Sequence, residues 1–155
     1  MYDQLYEEIS NGMPHDMILA QRAVMWVLAA REPLPREDLP EAIRINPDLD
    51  SAEMCTVITE DALLSLCRNL LVIDSEQNVW RVSHLSVAEY FKSRHGWTDG
   101  VINTMVSKAC LLFLLSETHY LEDPQFRESS AIKRRRRKPN RTKYKRPLLY
   151  YVTYR

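Results

Sequence analysis

Residues 70 to 91 read LLVIDSEQNVWRVSHLSVAEYF. Two runs of β-formers, Leu70-Leu71-Val72-Ile73 and Val79-Trp80-Arg81-Val82, flank the polar stretch Asp74-Ser75-Glu76-Gln77-Asn78, which is the pattern of an antiparallel hairpin. The period then changes. Ser86 is followed three residues later by Glu89, the S-x-x-E capping box in which a hydroxyl and a carboxylate satisfy backbone donors at a helix start. A helix is therefore expected to begin near Ser86, with Leu85, Ala88, Tyr90 and Phe91 available for its apolar side and Gly96 close to its end. His84 stands at the junction, after the hairpin and before the helix.

Upstream, Leu5 and Ile9 give the first residues an apolar edge before Asn11-Gly12-Met13-Pro14 breaks the pattern. Asp16 to Arg31 is apolar on more than one side, through Ile18, Val24, Trp26, Val27, Leu28 and four alanines, and so reads as a helix from the middle of a core. Leu34 to Ile43 reads as a short helix with Pro35 in its first turn and Leu39, Ala42 and Ile43 facing inward. Thr56 to Asn69 carries Val57, Ile58, Ala62, Leu63, Leu66 and Leu70 at spacings of mostly three and four, a further helix with one buried stripe. Three helices, a β-hairpin and another helix give the element order of a winged helix, with the hairpin as the wing. The expected fold is mainly α: a winged-helix domain over residues 1–100 and a helical C-terminal extension over 101–155, interrupted by a basic, disordered insertion at 127–146.

That insertion dominates the charge distribution. The chain is formally neutral with 21 basic and 21 acidic residues, yet residues 127 to 146 hold eleven Lys or Arg against the single acid Glu128, leaving ten basic and twenty acidic residues elsewhere. Lys133, Arg134, Arg135, Arg136, Arg137 and Lys138 form its densest run, and such a density of like charge is expected to stay solvated. Beyond it, Leu148-Leu149-Tyr150-Tyr151-Val152 returns to apolar character and is expected to pack against the helix predicted over Val101 to Leu115.

The chain offers little for catalysis. Gly12, Gly96 and Gly100 are its only glycines, so no phosphate-cradling loop can be assembled. There is no G-x-S-x-G elbow, no H-E-x-x-H and no Cys/His cluster at metal spacing; Cys55, Cys67 and Cys110 are odd in number and far apart, as expected of reduced thiols. No apolar run approaches the ~20 residues of a membrane span, and the start MYDQLYEEIS lacks a secretory pattern. These features predict a non-enzymatic, intracellular protein that binds no membrane.

Several segments together, AQRAVMWVLAAREPLPREDLPEAI, the hairpin with its H-L-S-x-x-E-Y motif at His84 to Tyr90, KACLLFLLS and PLLYYVTYR, resemble the winged-helix region that follows the NACHT module in fungal NOD-like receptors. Those proteins are STAND NTPases, often continued by ankyrin repeats. The same region resembles the winged-helix domain of GPI inositol-deacylase-type proteins, a likeness that implies no deacylase chemistry here. The resemblance implies a regulatory and interaction module that contacts the nucleotide-binding module and transmits its open or closed state, with ADP or ATP bound only through a NACHT module that this chain lacks. By motif match His84 is the nucleotide-sensing residue, contacting the phosphates of bound ADP. Plant relatives place an acid directly after this histidine; Leu85 stands there, so that acid's role does not carry over.

Two alternatives stand beside this reading. A histidine closing a hairpin can simply hydrogen-bond a nearby carbonyl. A winged helix can also bind nucleic acid, here weakly through the basic 133–146 segment, although the expected recognition helix offers Glu60 and Asp61. The run Lys133 to Lys138 also has the composition of a nuclear-import signal, so the predicted location is cytoplasmic, with nuclear entry through that run as the variant.

Overall fold

The computed structural model describes residues 2–48 and 57–121, with side chains through Leu115. Helices α1 (Tyr2–Ser10), α2 (Pro14–Ala29), α3 (Asp38–Ala42) and α4 (Glu60–Leu66) precede strands β1 (Leu71–Asp74) and β2 (Val79–Val82), which are followed by α5 (Leu85–His95) and α6 (Asp99–Leu121). The fold is mainly helical with one two-stranded antiparallel sheet. The basic segment 127–146 and the apolar stretch Leu148 to Val152 lie outside the described residues.

The hairpin forms as its sequence predicts. Leu71 pairs with Val82 and Asp74 with Val79, and Asp74 closes the turn, its Oδ1 accepting from the N–H groups of Glu76 and Gln77 at 3.0 and 3.1 Å. Asn78 supplies the positive φ, 56°, that such a turn demands and that asparagine tolerates.

Helix α2 is the central element, packing against α1, α3, α4, α6 and β2. Leu19, Ala20, Ala23, Val24 and Trp26 are all buried on it. It begins two residues earlier than expected because Pro14 occupies a first-turn position, where a missing N–H costs nothing, and it stops at Ala29 ahead of Pro33. Leu39, Ala42 and Ile43 face inward as read from the sequence, and each is fully buried.

Three expectations are corrected. The segment Leu34 to Glu37 is not helical: Pro35 bridges Val79, with the Trp80 N–H donating to the Leu34 carbonyl at 2.8 Å and the Arg36 N–H to the Asn78 carbonyl at 3.0 Å. Those bonds belong to the residues flanking Pro35, so a proline without an N–H fits this short edge; helix α3 begins only at Asp38. Helix α4 is shorter than predicted. Thr59 caps it, its Oγ1 accepting from the Ala62 N–H at 3.3 Å, and Arg68 and Asn69 at positive φ follow its end. Val57, read as core, therefore lies before the helix and is exposed, while Leu63, Cys67 and Leu70 carry the buried stripe. Third, α5 buries Val87 and Phe91 and leaves Leu85, expected on its apolar side, 78% exposed.

Gly96 ends α5 in the left-handed region at φ 64°. The Trp97 N–H then donates to the Phe91 carbonyl at 3.2 Å, and the Trp97 ring stacks on Phe91 with centroids 4.3 Å apart. Helix α6 leaves from there and is longer than the Val101 to Leu115 read from the sequence. It buries Ile102, Ala109, Leu112 and Phe113. Among the described residues, no single helix is long and apolar enough to cross a membrane; α5 and α6 have that composition only as a pair, and they are bent by 99°.

Candidate functional site: the corner between wing and helix

Strand β2 ends at Val82, and the Ser83 N–H donates to the Leu70 carbonyl at 3.0 Å, completing the hairpin. His84 follows in extended conformation, φ −154° and ψ 151°, so the chain turns from wing into helix at this residue. Its carbonyl accepts the Val87 N–H at 3.0 Å, and its ring Nδ1 accepts the Ser86 N–H at 3.2 Å. His84 is thus the N-cap of α5. An imidazole nitrogen two residues before a free N–H does here what an Asn or Ser oxygen commonly does.

This corrects the capping-box expectation. Ser86 lies inside the first turn rather than at the cap; its N–H, which a capping box would hand to Glu89, goes to the His84 ring instead, and Glu89 is exposed on the following turn. The helix does begin within two residues of Ser86, at Leu85. The alternative of a ring donating to a nearby carbonyl is also not what the geometry shows: Nδ1 is an acceptor from backbone.

Nδ1 lies 2.7 Å from the Ser86 hydroxyl, and that hydroxyl lies 2.7 Å from the phenol of Tyr2 on α1. Since Nδ1 accepts a backbone N–H, the ring proton resides on Nε2 in the neutral imidazole. His84 is exposed, so this second nitrogen is left as a donor. Beside it Leu85 offers an apolar side chain to solvent, and the first turn of α5 holds no acid, leaving the positive end of the helix dipole uncompensated. The corner combines an N–H donor on an exposed ring, one exposed aliphatic group and a helix N-terminus with no acid in its first turn.

Helix α1 is held against α5 by aromatic contacts. The rings of Tyr2 and Tyr90 are 5.5 Å apart, Tyr6 meets Phe91 at 5.8 Å and His95 at 4.1 Å, and the Tyr90 hydroxyl donates to Asp3 at 3.0 Å. Burial, together with that bond to Asp3, raises the Tyr90 pKa above its ordinary value, so the phenol remains the donor at neutral pH. Tyr2 and Asp3 were missed by sequence reasoning. The signal available for them was the spacing of Tyr2 and Tyr6, four apart and therefore on one helix face, yet nothing local says that this face meets Ser86.

Lys133, Arg134, Arg135, Arg136, Arg137 and Lys138 lie outside the described residues. On α4, Glu60 and Asp61 occupy the first turn, and Glu60 forms an ion pair with Arg36. An open cleft of about 400 Å³ between Pro47-Asp48 and the α6 residues Val101, Thr104, Met105 and Lys108 shares no residue with the corner. Among the described residues no group of three or more His, Cys, Asp or Glu side chains converges as metal ligands would.

A helical domain whose antiparallel hairpin lies between the fourth and fifth helices, with a helix capped at the hairpin exit, is a winged helix. The chain belongs to the family described as GPI inositol-deacylase, winged helix domain, which matches residues 7–102. No curated protein and no solved structure gives a significant match.

Proposed function

We propose that this winged helix is a non-catalytic regulatory and interaction module of a NACHT-type signalling NTPase, meeting the nucleotide-binding module through the corner at His84 and Leu85. One observation carries this reading. The Nδ1 atom of His84 is committed to the helix cap, so on this exposed residue Nε2–H is left as a donor suited to a phosphate oxygen, beside a leucine that is 78% exposed. In such a parent, ADP or ATP is bound by the NACHT module, and this chain contributes a contact that favours the closed state. Opening is then passed to whatever repeats follow, ankyrin repeats in the receptors this chain resembles.

The nucleic-acid reading finds less support. Helix α4, the element a winged helix would lay in a groove, presents Glu60 and Asp61 in its first turn, which a phosphate backbone repels. The basic segment would then bind alone, without sequence preference.

The test uses a full-length parent with a NACHT module and the substitution His84→Asp, because aspartate keeps a cap acceptor and carries no N–H donor. Release of a fluorescent ADP, followed by stopped flow, is expected to be faster in the variant. Release at the wild-type rate would remove the nucleotide-sensing role. Salt-resistant, sequence-specific DNA binding that survives deletion of 127–146 would replace this reading by the nucleic-acid one.

A further inference from the structure

We infer that Tyr2 and Ser86 are positioning residues for His84, and that docking of α1 on α5 is what holds the imidazole in one orientation with its proton on Nε2. The inference rests on the reading of His84 as a contact residue for its functional meaning, but not for its geometry.

The cap bond alone is a loose anchor. At 3.2 Å from the Ser86 N–H, the ring retains freedom to tilt about its own side-chain bonds. The Ser86 hydroxyl at 2.7 Å is the closer partner of Nδ1. A serine hydroxyl has a single proton, and it can serve Nδ1 only when it is not spent elsewhere. Tyr2 decides this. Its phenol lies 2.7 Å from the Ser86 oxygen; because an Nδ1 that accepts a backbone N–H must also accept the serine proton, the phenol is the donor of this pair. The three groups form a one-way chain of donors, Tyr2 to Ser86 to His84, and this direction is the one compatible with an Nδ1 that also accepts a backbone N–H. Each bond in such a chain polarises the next.

The first link belongs to a different element, 84 residues away in sequence. The first turn of α1 is held on α5 by the Tyr2–Tyr90 ring contact and by the bond from Tyr90 to Asp3. When that turn leaves, Ser86 loses its donor, its hydroxyl is free to turn to water, and the imidazole keeps only the longer of its two anchors. Presentation of His84 is therefore conditional on the position of α1.

The experiment reads the ring directly. In uniformly ¹⁵N-labelled protein, two-bond proton–nitrogen correlation spectra report the tautomer of each histidine, and exposed His15 serves as the internal reference. The wild type is expected to show His84 with an unprotonated Nδ1 and a protonated Nε2. Tyr2→Phe, which keeps the ring packing and removes only the hydroxyl, is expected to move both His84 nitrogens towards the averaged positions of a free imidazole, leaving His15 unmoved. Ser86→Ala should move them at least as far, and Ser86→Thr, which restores a hydroxyl, should return them. A His84 pattern unchanged in both Tyr2→Phe and Ser86→Ala overturns the inference; so does a pattern moved by Ser86→Ala and untouched by Tyr2→Phe, since α1 would then play no part. An unchanged ADP release in the His84→Asp parent would defeat the proposed function while leaving these spectra as they are, so the two failures are distinguishable.

Discussion

The indole Nε1 of Trp80 donates to the carbonyl oxygen of Arg36 at 2.8 Å. With its backbone N–H on Leu34, the same residue joins the wing to the Leu34-Pro35-Arg36 segment twice, once through the ladder and once through the side chain. Trp80 is fully buried, so it also fills the space between the hairpin and α2. Trp80→Ala is expected to cost about 3–5 kcal/mol through the cavity it leaves. Trp80→Phe should lose about 1 kcal/mol for the missing N–H donor plus a smaller packing term. Urea unfolding followed by far-UV circular dichroism measures both; equal costs for the two variants would show that the hydrogen bond, not the volume, dominates.

The cap at His84 gives a second stability comparison. His84→Ala removes the acceptor for the Ser86 N–H and is expected to cost about 0.5–2 kcal/mol, whereas His84→Asn should recover most of that. Thermal melts of the three proteins decide the point, and indistinguishable melts would mean that water replaces the cap without penalty.

At Gly96 the backbone sits at φ 64°, and a Cβ built there would meet nothing within 4 Å. The cost of Gly96→Ala is then purely conformational, about 1–2 kcal/mol for a left-handed alanine. Gly96→Asn should be milder, since asparagine visits that region more readily. A stability gain in Gly96→Ala would contradict the left-handed end of α5.

Asp74 links stability to pH. Its carboxyl is held below its ordinary value of 3.8, first by the Gln77 N–H and then by the Glu76 N–H and the Arg81 guanidinium, against an opposing desolvation. A carboxyl depressed in the folded state stabilises the protein above the unfolded value and loses that contribution as pH falls through the folded one. The stability difference between wild type and Asp74→Asn should therefore be constant near neutrality and shrink below about pH 4. A difference independent of pH would mean that only the neutral hydrogen bonds matter.

Burial pushes the Cys67 thiol up to about 12 and the Cys110 thiol up to about 11. Neither forms thiolate near neutral pH, so iodoacetamide at pH 8 should modify both slowly in the folded protein and rapidly in urea. Peptide mass mapping separates the two sites. Fast modification of Cys67 without denaturant would show that α4 opens readily.

Much of the fold was legible because it rests on local periodicity. The β-rich runs around Asp74 to Asn78, the apolar faces of α2 and α3 and the stop at Gly96 are all encoded within a turn or two of chain, and Trp26, Trp80, Leu39 and Ile43 are buried where their patterns put them. His84 was singled out from its place between hairpin and helix, and the structure puts it at that corner.

The order and type of the main elements are therefore local properties of the chain, since hydrogen bonding and side-chain periodicity act over three or four residues. Tertiary structure decided the rest. Several groups near residue 85 could cap a helix, and the choice of His84 over Ser86 goes with a helix phase that buries Val87 and Phe91 and turns Leu85 outward. Pro35 has the local character of a helix start, but Val79 on the distant wing bridges it, with Trp80 bonded to Leu34 beside it. The chain from Tyr2 through Ser86 to His84 joins residues that no local rule relates; packing of α1 on α5 brings them within hydrogen-bond distance.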